Sequence, residues 1–279
     1  MSTATVEIRE GQRFEFGQNW RRFLALLDEE RITEAERSLC VMLGVTHLKD
    51  KSFLDIGSGS GLFSLAARRL GARVHSLDYD PESVACTSEL RRRYFADDPR
   101  WTIEGGSVLD ANYLASLGRF DVVYSWGVLH HTGAMSQALE NVARLVAEGG
   151  VLFIAIYNDQ GGASRRWLAV KRLYNRSGAI VRFLVVLAIG ALIESKSAVV
   201  RLVRLKNPLP FEAWAERKKC RGMSVWYDLV DWVGGYPFEV ATPEVIFEFF
   251  YRRGFQLTRF KTCSGGLGCN EYVFVKETA

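Results

Sequence analysis

The chain has 279 residues, 48% of them hydrophobic and 24% charged, a balance that supports a buried core and excludes a disordered or fibrous polymer. At this length the expectation is one large α/β domain, or a domain with a sizeable appendage, because single cores stop growing near roughly 250 to 300 residues. The net charge of +4 is uneven: residues 159 to 221 hold 14 Lys and Arg against 4 Asp and Glu, a net of +10, which leaves −6 for the rest.

At the start of the chain Glu7, Arg9 and Glu10 stand where an export signal needs an apolar stretch, so a cytoplasmic location is expected. Apolar residues recurring at helical spacing from Phe23 to Leu43 predict one or two helices that cover the first strand. SFLDIG (52 to 57) then reads as a strand ending in glycine, LFSLAARRLG as a helix stopped by Gly71, and RVHSLDYD as a second strand closed by Pro81. This βαβ unit implies a parallel sheet. Alternation continues with a helix over 81–95, strands over 101–104 and 120–125, a helix over 134–147 and a strand over 151–157. The pattern pauses over 159–236, and resumes with a helix (242–253), a strand (255–261), a short Gly-rich turn and a last strand (271–276). Strands joined so closely must be antiparallel. The expected architecture is α/β: a Rossmann-like, doubly wound, seven-stranded sheet with a C-terminal antiparallel hairpin and a mainly helical insertion. Its parts would be a cover (1–46), a core (47–158 and 237–279) and the insertion (159–236). Within the insertion the longest uncharged apolar run, Phe183 to Ile193, has 11 residues, short of the ~20 that span a bilayer, so no membrane-crossing helix is expected. The five cysteines are odd in number and lack a C-x-x-C pair, which points to free thiols rather than a disulfide framework or a zinc site.

The strongest local signal is FLDIGSGSGLFS (53 to 64), between the first strand and the first helix. Gly57, Gly59 and Gly61 allow a sharp turn and close approach of a ligand to the backbone. The spacing is not that of the dinucleotide fingerprint, since Leu62 stands where its third glycine belongs, and no Lys-Ser/Thr pair makes a phosphate loop. Asp55, two residues before the turn, suits a ligand with an ammonium or sulfonium charge better than a pyrophosphate. Asp78, at the end of the second strand, lies where a carboxylate can accept from a ribose diol, and Asp80 is better placed to cap the following helix.

With these residues the chain resembles the class I S-adenosylmethionine-dependent methyltransferases. The motifs that carry the resemblance are LDIGSGSG (54–61), SLDYDPES (76–83), FDVVYSWGVLHHT (120–132) and GGVLFIAIYND (149–159), followed by the terminal hairpin. Among subfamilies it is most similar to the small-molecule enzymes related to ubiquinone O-methyltransferases. The resemblance implies a cofactor site on Asp55, Gly57, Ser58, Gly59, Gly61, Asp78 and Tyr79, with Ser107 and Val108 where the family usually bonds adenine through an acid, and with Trp126 and Trp20 beside it. The segment RFEFGQNWRRFL (13–24) also resembles an N-terminal stretch of some of these enzymes; it would either close over the cofactor or simply pack on the core.

For the chemistry, His130 and His131 follow the fourth strand and are the candidate bases, with local packing as the competing reading. The fourth-strand sequence SWGVLHHT lacks the Asp/Asn-Pro-Pro-aromatic signature of enzymes that methylate base amines, so a nucleic-acid substrate is not expected. Tyr157 and Asn158 reach the same rim. The insertion would form a lid: a basic, apolar-centred first half for a membrane surface or a second subunit, and a second half where Trp226, Tyr227, Asp228, Asp231 and Trp232 either line an acceptor pocket, with Tyr227 and Asp228 in catalytic roles, or pack as core. The expected activity is methyl transfer to a small, largely apolar acceptor through a hydroxyl, giving S-adenosylhomocysteine. S-methylation of a small thiol and a non-catalytic S-adenosylmethionine-binding module are the alternatives.

Overall fold

The computed structural model describes residues 3–205, 207, 209, 225–264, 266 and 268–278. Seven strands form one sheet: β1 (Ser52–Ile56), β2 (Arg73–Asp78), β3 (Trp101–Gly105), β4 (Phe120–Trp126), β5 (Val146–Tyr157), β6 (Phe255–Lys261) and β7 (Cys269–Lys276), in the spatial order β3-β2-β1-β4-β5-β7-β6. β1 to β5 pair in parallel, and β7 runs antiparallel to both β5 and β6. The doubly wound sheet and the closing hairpin are therefore as expected from the alternation.

Side chains alternate between two apolar layers, as the period of a strand requires. Leu54, Ile56, Val123 and Ile154 face one layer together with α6 (Ala111–Leu117), α7 (Met135–Leu145) and α11 (Pro243–Tyr251). Phe53, Val122, Tyr124 and Phe153 face the other with α3 (Glu29–Leu43), α4 (Leu62–Arg69) and α5 (Pro81–Tyr94). Both α6 and an N-terminal α1 (Thr3–Arg9) are additions to the expected elements, each of only seven residues. Asp80 caps α5, its carboxylate accepting from Glu82 N–H at 3.0 Å, with Pro81 in the first turn.

The insertion folds as α8 (Gly162–Arg176), α9 (Ala179–Val203) and α10 (Val225–Gly234). A third apolar cluster, Phe14, Tyr174, Val186 and Val233, ties α8, α9 and α10 to the segment before α2 (Phe16–Leu24). α9 corrects the sequence reading: its 25 residues have a mean hydropathy of 2.0 over the best window, long and apolar enough to cross a membrane by length and composition. Counting only the uncharged run stopped at Arg182 and Glu194, whereas the helix continues to Val203. Only 6% of that window is buried, and Ile180 and Val203 are each 78% exposed. Among the described residues Cys40, Cys86 and Cys263 are free thiols; Cys220 lies outside them.

Candidate active site

The site is built at the carboxyl ends of β1, β2, β4 and β5, where an open parallel sheet leaves a crevice. Gly57, Gly59 and Gly61 all adopt left-handed conformations, at φ +79°, +55° and +81°. A Cβ on Gly57 would lie 2.4 Å from Val128, and one on Gly61 would lie 2.8 Å from the Thr87 backbone. The turn is braced from within: Gly57 and Ser58 N–H both donate to Leu77 C=O, Gly59 N–H to Asp78 at 2.9 Å, and Gly61 N–H to Ser58 C=O. Ser58 Oγ bonds Thr87 Oγ1 at 2.9 Å. A loop that cradles phosphate presents free N–H groups; here those four are already spent. The turn therefore suits a ligand without a pyrophosphate.

Asp78 is buried at the end of β2, and its two oxygens accept from Gly59 and Asp80 N–H, each at 2.9 Å. Each carboxylate oxygen retains a lone pair, so both can still accept from a diol. Burial pushes its carboxyl up to about 6 against the opposing pull of those two amides. Asp55 points into the layer beneath α4, where Ser64 Oγ donates to it at 2.5 Å; Ser64 in turn contacts Ser76, which takes the indole N–H of Trp101 at 2.9 Å. Burial drives Asp55 to about 7, with the Ser64 hydroxyl opposing and Asp78 reinforcing the rise. Such a raised carboxyl contributes stability below its unfolded value, and that contribution fades as pH rises from there through 7. Accordingly Asp55→Asn is expected to gain on the wild type between pH 5 and pH 8: in thermal melts at the two pH values, the difference in Tm should shift in favour of the variant at pH 8.

Around this turn the N-terminal arm folds over the crevice. A Cβ on Gly59 would stand 3.0 Å from the Trp20 indole, and Gly17 N–H donates to Asp80 at 2.9 Å in a position where any Cβ would strike Glu82. Tyr79 is engaged by the same arm: its hydroxyl donates to Glu7 at 3.1 Å and Arg13 lies 4.8 Å above its ring. Ser107 accepts from Leu109 N–H at 3.1 Å and so shapes the turn after β3. The Val108 side chain packs in the apolar layer and its C=O accepts from Asn141. Trp126, 40% exposed, ends β4.

On the other side of the crevice stands the histidine pair. Tyr157 N–H donates to His130 Nδ1 at 3.3 Å, which places the His130 proton on Nε2 and removes it as a base. His131 Nδ1 lies 2.6 Å from Pro237 C=O and must carry the proton there, leaving the Nε2 lone pair to accept a hydrogen bond. Burial and then the Lys171 charge lower His131 to about 3; His130 is held well down by burial, by His131 and by Lys171. Both rings are neutral at physiological pH, and so act as hydrogen-bonding groups rather than as titrating bases.

The wall beyond them comes from the insertion. A narrow cleft lined by Tyr157, Asn158, Trp167, Lys171, Trp232 and Phe238 holds about 20 Å³ of accessible space and opens to solvent. The Trp167 and Trp232 rings meet edge to face at 5.0 Å. Asp231 holds Asn19 of the N-terminal arm. The Tyr227 and Asp228 side chains lie outside the described residues. Lys171 is the buried cleft residue that the sequence reading left in a basic run. Helical phase was the available signal, since Ser164, Trp167, Lys171, Tyr174 and Asn175 share one face of α8 and all but Trp167 are buried.

Residues 54–152 match the family model described as a methyltransferase domain. Among curated relatives, the ubiquinone biosynthesis O-methyltransferase of Parvibaculum lavamentivorans is 33% identical over 116 residues, 41% of this chain and 43% of that protein. The chain thus matches less than half the length of that relative. Among solved structures, the magnesium protoporphyrin IX methyltransferase from Synechocystis with bound SAH superposes at TM-score 0.55 and 14% identity, covering 93% of this chain and 94% of that one. The [4+2]-cyclase SpnF superposes at 0.54 and 10% identity, over 89% and 81%, so likeness of fold alone does not specify methyl transfer. The residues of the turn fit S-adenosylmethionine: Asp78 keeps acceptors for a ribose diol, and the spent loop amides favour a cationic ligand over an anionic one.

Proposed function

We propose that the protein is an S-adenosylmethionine-dependent methyltransferase acting on the hydroxyl of a small, largely apolar acceptor. The observation that carries this reading is the aromatic cleft between Tyr157, at the carboxyl end of β5, and the insertion, on the same edge of the parallel sheet as the glycine turn after β1. Flat aromatic walls with few polar groups favour an apolar acceptor, and the name of the O-methyltransferase relative supports oxygen as the nucleophile. S-adenosylmethionine supplies an electrophilic methyl group on a sulfonium. The chain's part is alignment, worth on the order of 7 to 11 kcal/mol, exclusion of water, and control of the acceptor's proton. Trp20 and α2 cover the turn. Methyl transfer from radiolabelled S-adenosylmethionine, screened over phenols, quinols and small thiols, tests the reading. Label in phenols or quinols supports it, label in thiols alone replaces it with S-methylation, and binding without transfer to any class leaves a non-catalytic module.

The insertion would act as the acceptor lid and bring the enzyme to an anionic membrane surface. This rests on the exposed apolar side chains of α9, and on the basic residues near its two ends, Arg172, Arg176 and Arg182 before its centre and Arg201 and Arg204 at its end. Each basic side chain near such a surface is worth about 1 kcal/mol and is screened by salt. Co-sedimentation with phosphatidylglycerol vesicles is expected at low salt and should weaken at high salt, whereas no pelleting together with dimers in gel filtration would assign α9 to self-association.

A further inference from the structure

Lys171 lies in the cleft without an ionic partner. Its side chain is 2% exposed, and its Nζ donates to the Trp232 C=O and sits 4.9 Å from the Phe238 ring centre. Among the described residues no carboxylate lies within ion-pair distance of it; Asp231 acts only through its field. A protonated amine has three donors, and a buried one with a single strong acceptor is costly. A counter-charge arriving with a ligand would remove that cost. The point where a Gly235 Cβ would stand is 3.5 Å from Nζ and 3.1 Å from His131 Cε1, so glycine there keeps the space between the two open.

We infer that Lys171 Nζ takes the proton of an acidic acceptor hydroxyl bound in this cleft and then holds the resulting oxyanion as an ion pair. This rests on the reading of the acceptor as a hydroxyl compound. The proton balance is simple: the O–H bond of the acceptor breaks, its proton forms the third N–H bond of the ammonium, and the oxygen keeps the electron pair as the nucleophile. After methylation of that oxygen the ammonium returns its proton to solvent. The amine is suited to this because burial pushes it down to about 7, with Asp231 opposing, so the neutral base and the ammonium are both accessible near neutrality. The other groups facing it are His130 and His131 after β4, both neutral, Tyr157 of β5, Tyr174 on its own helix and Asp231 of α10.

The test uses 4-nitrophenol, whose anion absorbs at longer wavelength than the neutral phenol, at a pH where it is mostly protonated in water and with S-adenosylhomocysteine present. Binding to the wild type is expected to raise the phenolate fraction at least threefold over that of free dye, and binding to Lys171→Met is expected to leave it at or below the free value. Lys171→Gln serves as the second variant should the Met form not fold. A neutral dye on the wild type, equal ionisation on both proteins, or no saturable binding to the wild type at millimolar dye would each overturn the inference. Calorimetric titration of S-adenosylhomocysteine into the same samples separates the two claims. Tight and equal binding by both proteins with no dye shift rejects Lys171 alone, whereas absence of binding by the wild type rejects the methyltransferase reading.

Discussion

Asp78→Asn is expected to weaken S-adenosylhomocysteine binding on the order of 100-fold at pH 8 while the protein stays folded. A hydrogen bond to a charged partner contributes about 1.5 to 3 kcal/mol, and tenfold in affinity corresponds to about 1.4 kcal/mol, so loss of one to two such bonds to a ribose diol gives this magnitude. The amide replaces one acceptor oxygen with a donor, which also leaves either the Gly59 or the Asp80 N–H without its partner and loosens the turn. The pH dependence of the wild type provides an internal control. The ionised carboxylate is the form that binds, and burial sets its carboxyl at about 6, so wild-type affinity should fall as pH drops through 6 and approach that of the Asp78→Asn variant near pH 5. Calorimetry at pH 8 and pH 5 checks both statements; affinities within threefold of each other at pH 8 would remove Asp78 from the ligand site.

The glycine turn and the strand end that carries Asp78 were readable in the sequence because their demands are local. A left-handed turn needs glycine at Gly57, Gly59 and Gly61, and a strand end fixes where the Asp78 carboxylate stands, so a few adjacent residues report the geometry. Two readings nearby depend on contacts that lie outside the motifs. Asp55 was expected to face the ligand, but alternation along β1 turns it toward Ser64 and Ser76, and no motif states which face of a strand meets a helix. His130 and His131 were placed correctly after β4, yet their protonation is set by Tyr157 N–H, Pro237 C=O and Lys171, groups brought in from β5 and from the insertion. Lys171 itself depended on knowing that α8 packs its Trp167 and Tyr174 face inward. The extent of α9 was misjudged by stopping at single charges, which a helix of 25 residues carries without ending.

The largest effect on stability is expected at the opposite end of the strands, from Arg68→Ala. Arg68 projects from α4, is 3% exposed, donates through Nε to Asp98 at 2.7 Å and through Nη1 to Ala72 C=O at 3.3 Å, and lies 4.9 Å over the Phe95 ring. Burial alone would raise the Asp98 carboxyl, but the Arg100 amide and the Arg68 guanidinium outweigh it and hold the carboxyl below its ordinary value. Removing Arg68 strips the desolvated Asp98 of its guanidinium and leaves it the Arg100 N–H at 2.9 Å, a loss approaching the about 3 to 5 kcal/mol of a broken buried pair, which is a large part of the ~5 to 15 kcal/mol that holds a domain together. For a chain of this size that corresponds to a fall in Tm on the order of 10 °C. Because the pair contributes only while Asp98 is ionised, a contribution present above its unfolded value and lost as pH falls through the lower folded one, the difference between the Arg68→Ala variant and wild type should narrow in acid. Replacing both partners, Arg68→Met with Asp98→Leu, should recover much of the loss, since a buried pair exchanged for apolar groups is close to neutral. Asp98 precedes β3, whereas the glycine turn follows β1, so S-adenosylhomocysteine affinity measured well below the melting range should stay within threefold of wild type. A large loss of affinity in the folded variant would mean that α4 transmits the change along its length to Gly61, and that the turn is positioned by this ion pair as well as by its own glycines.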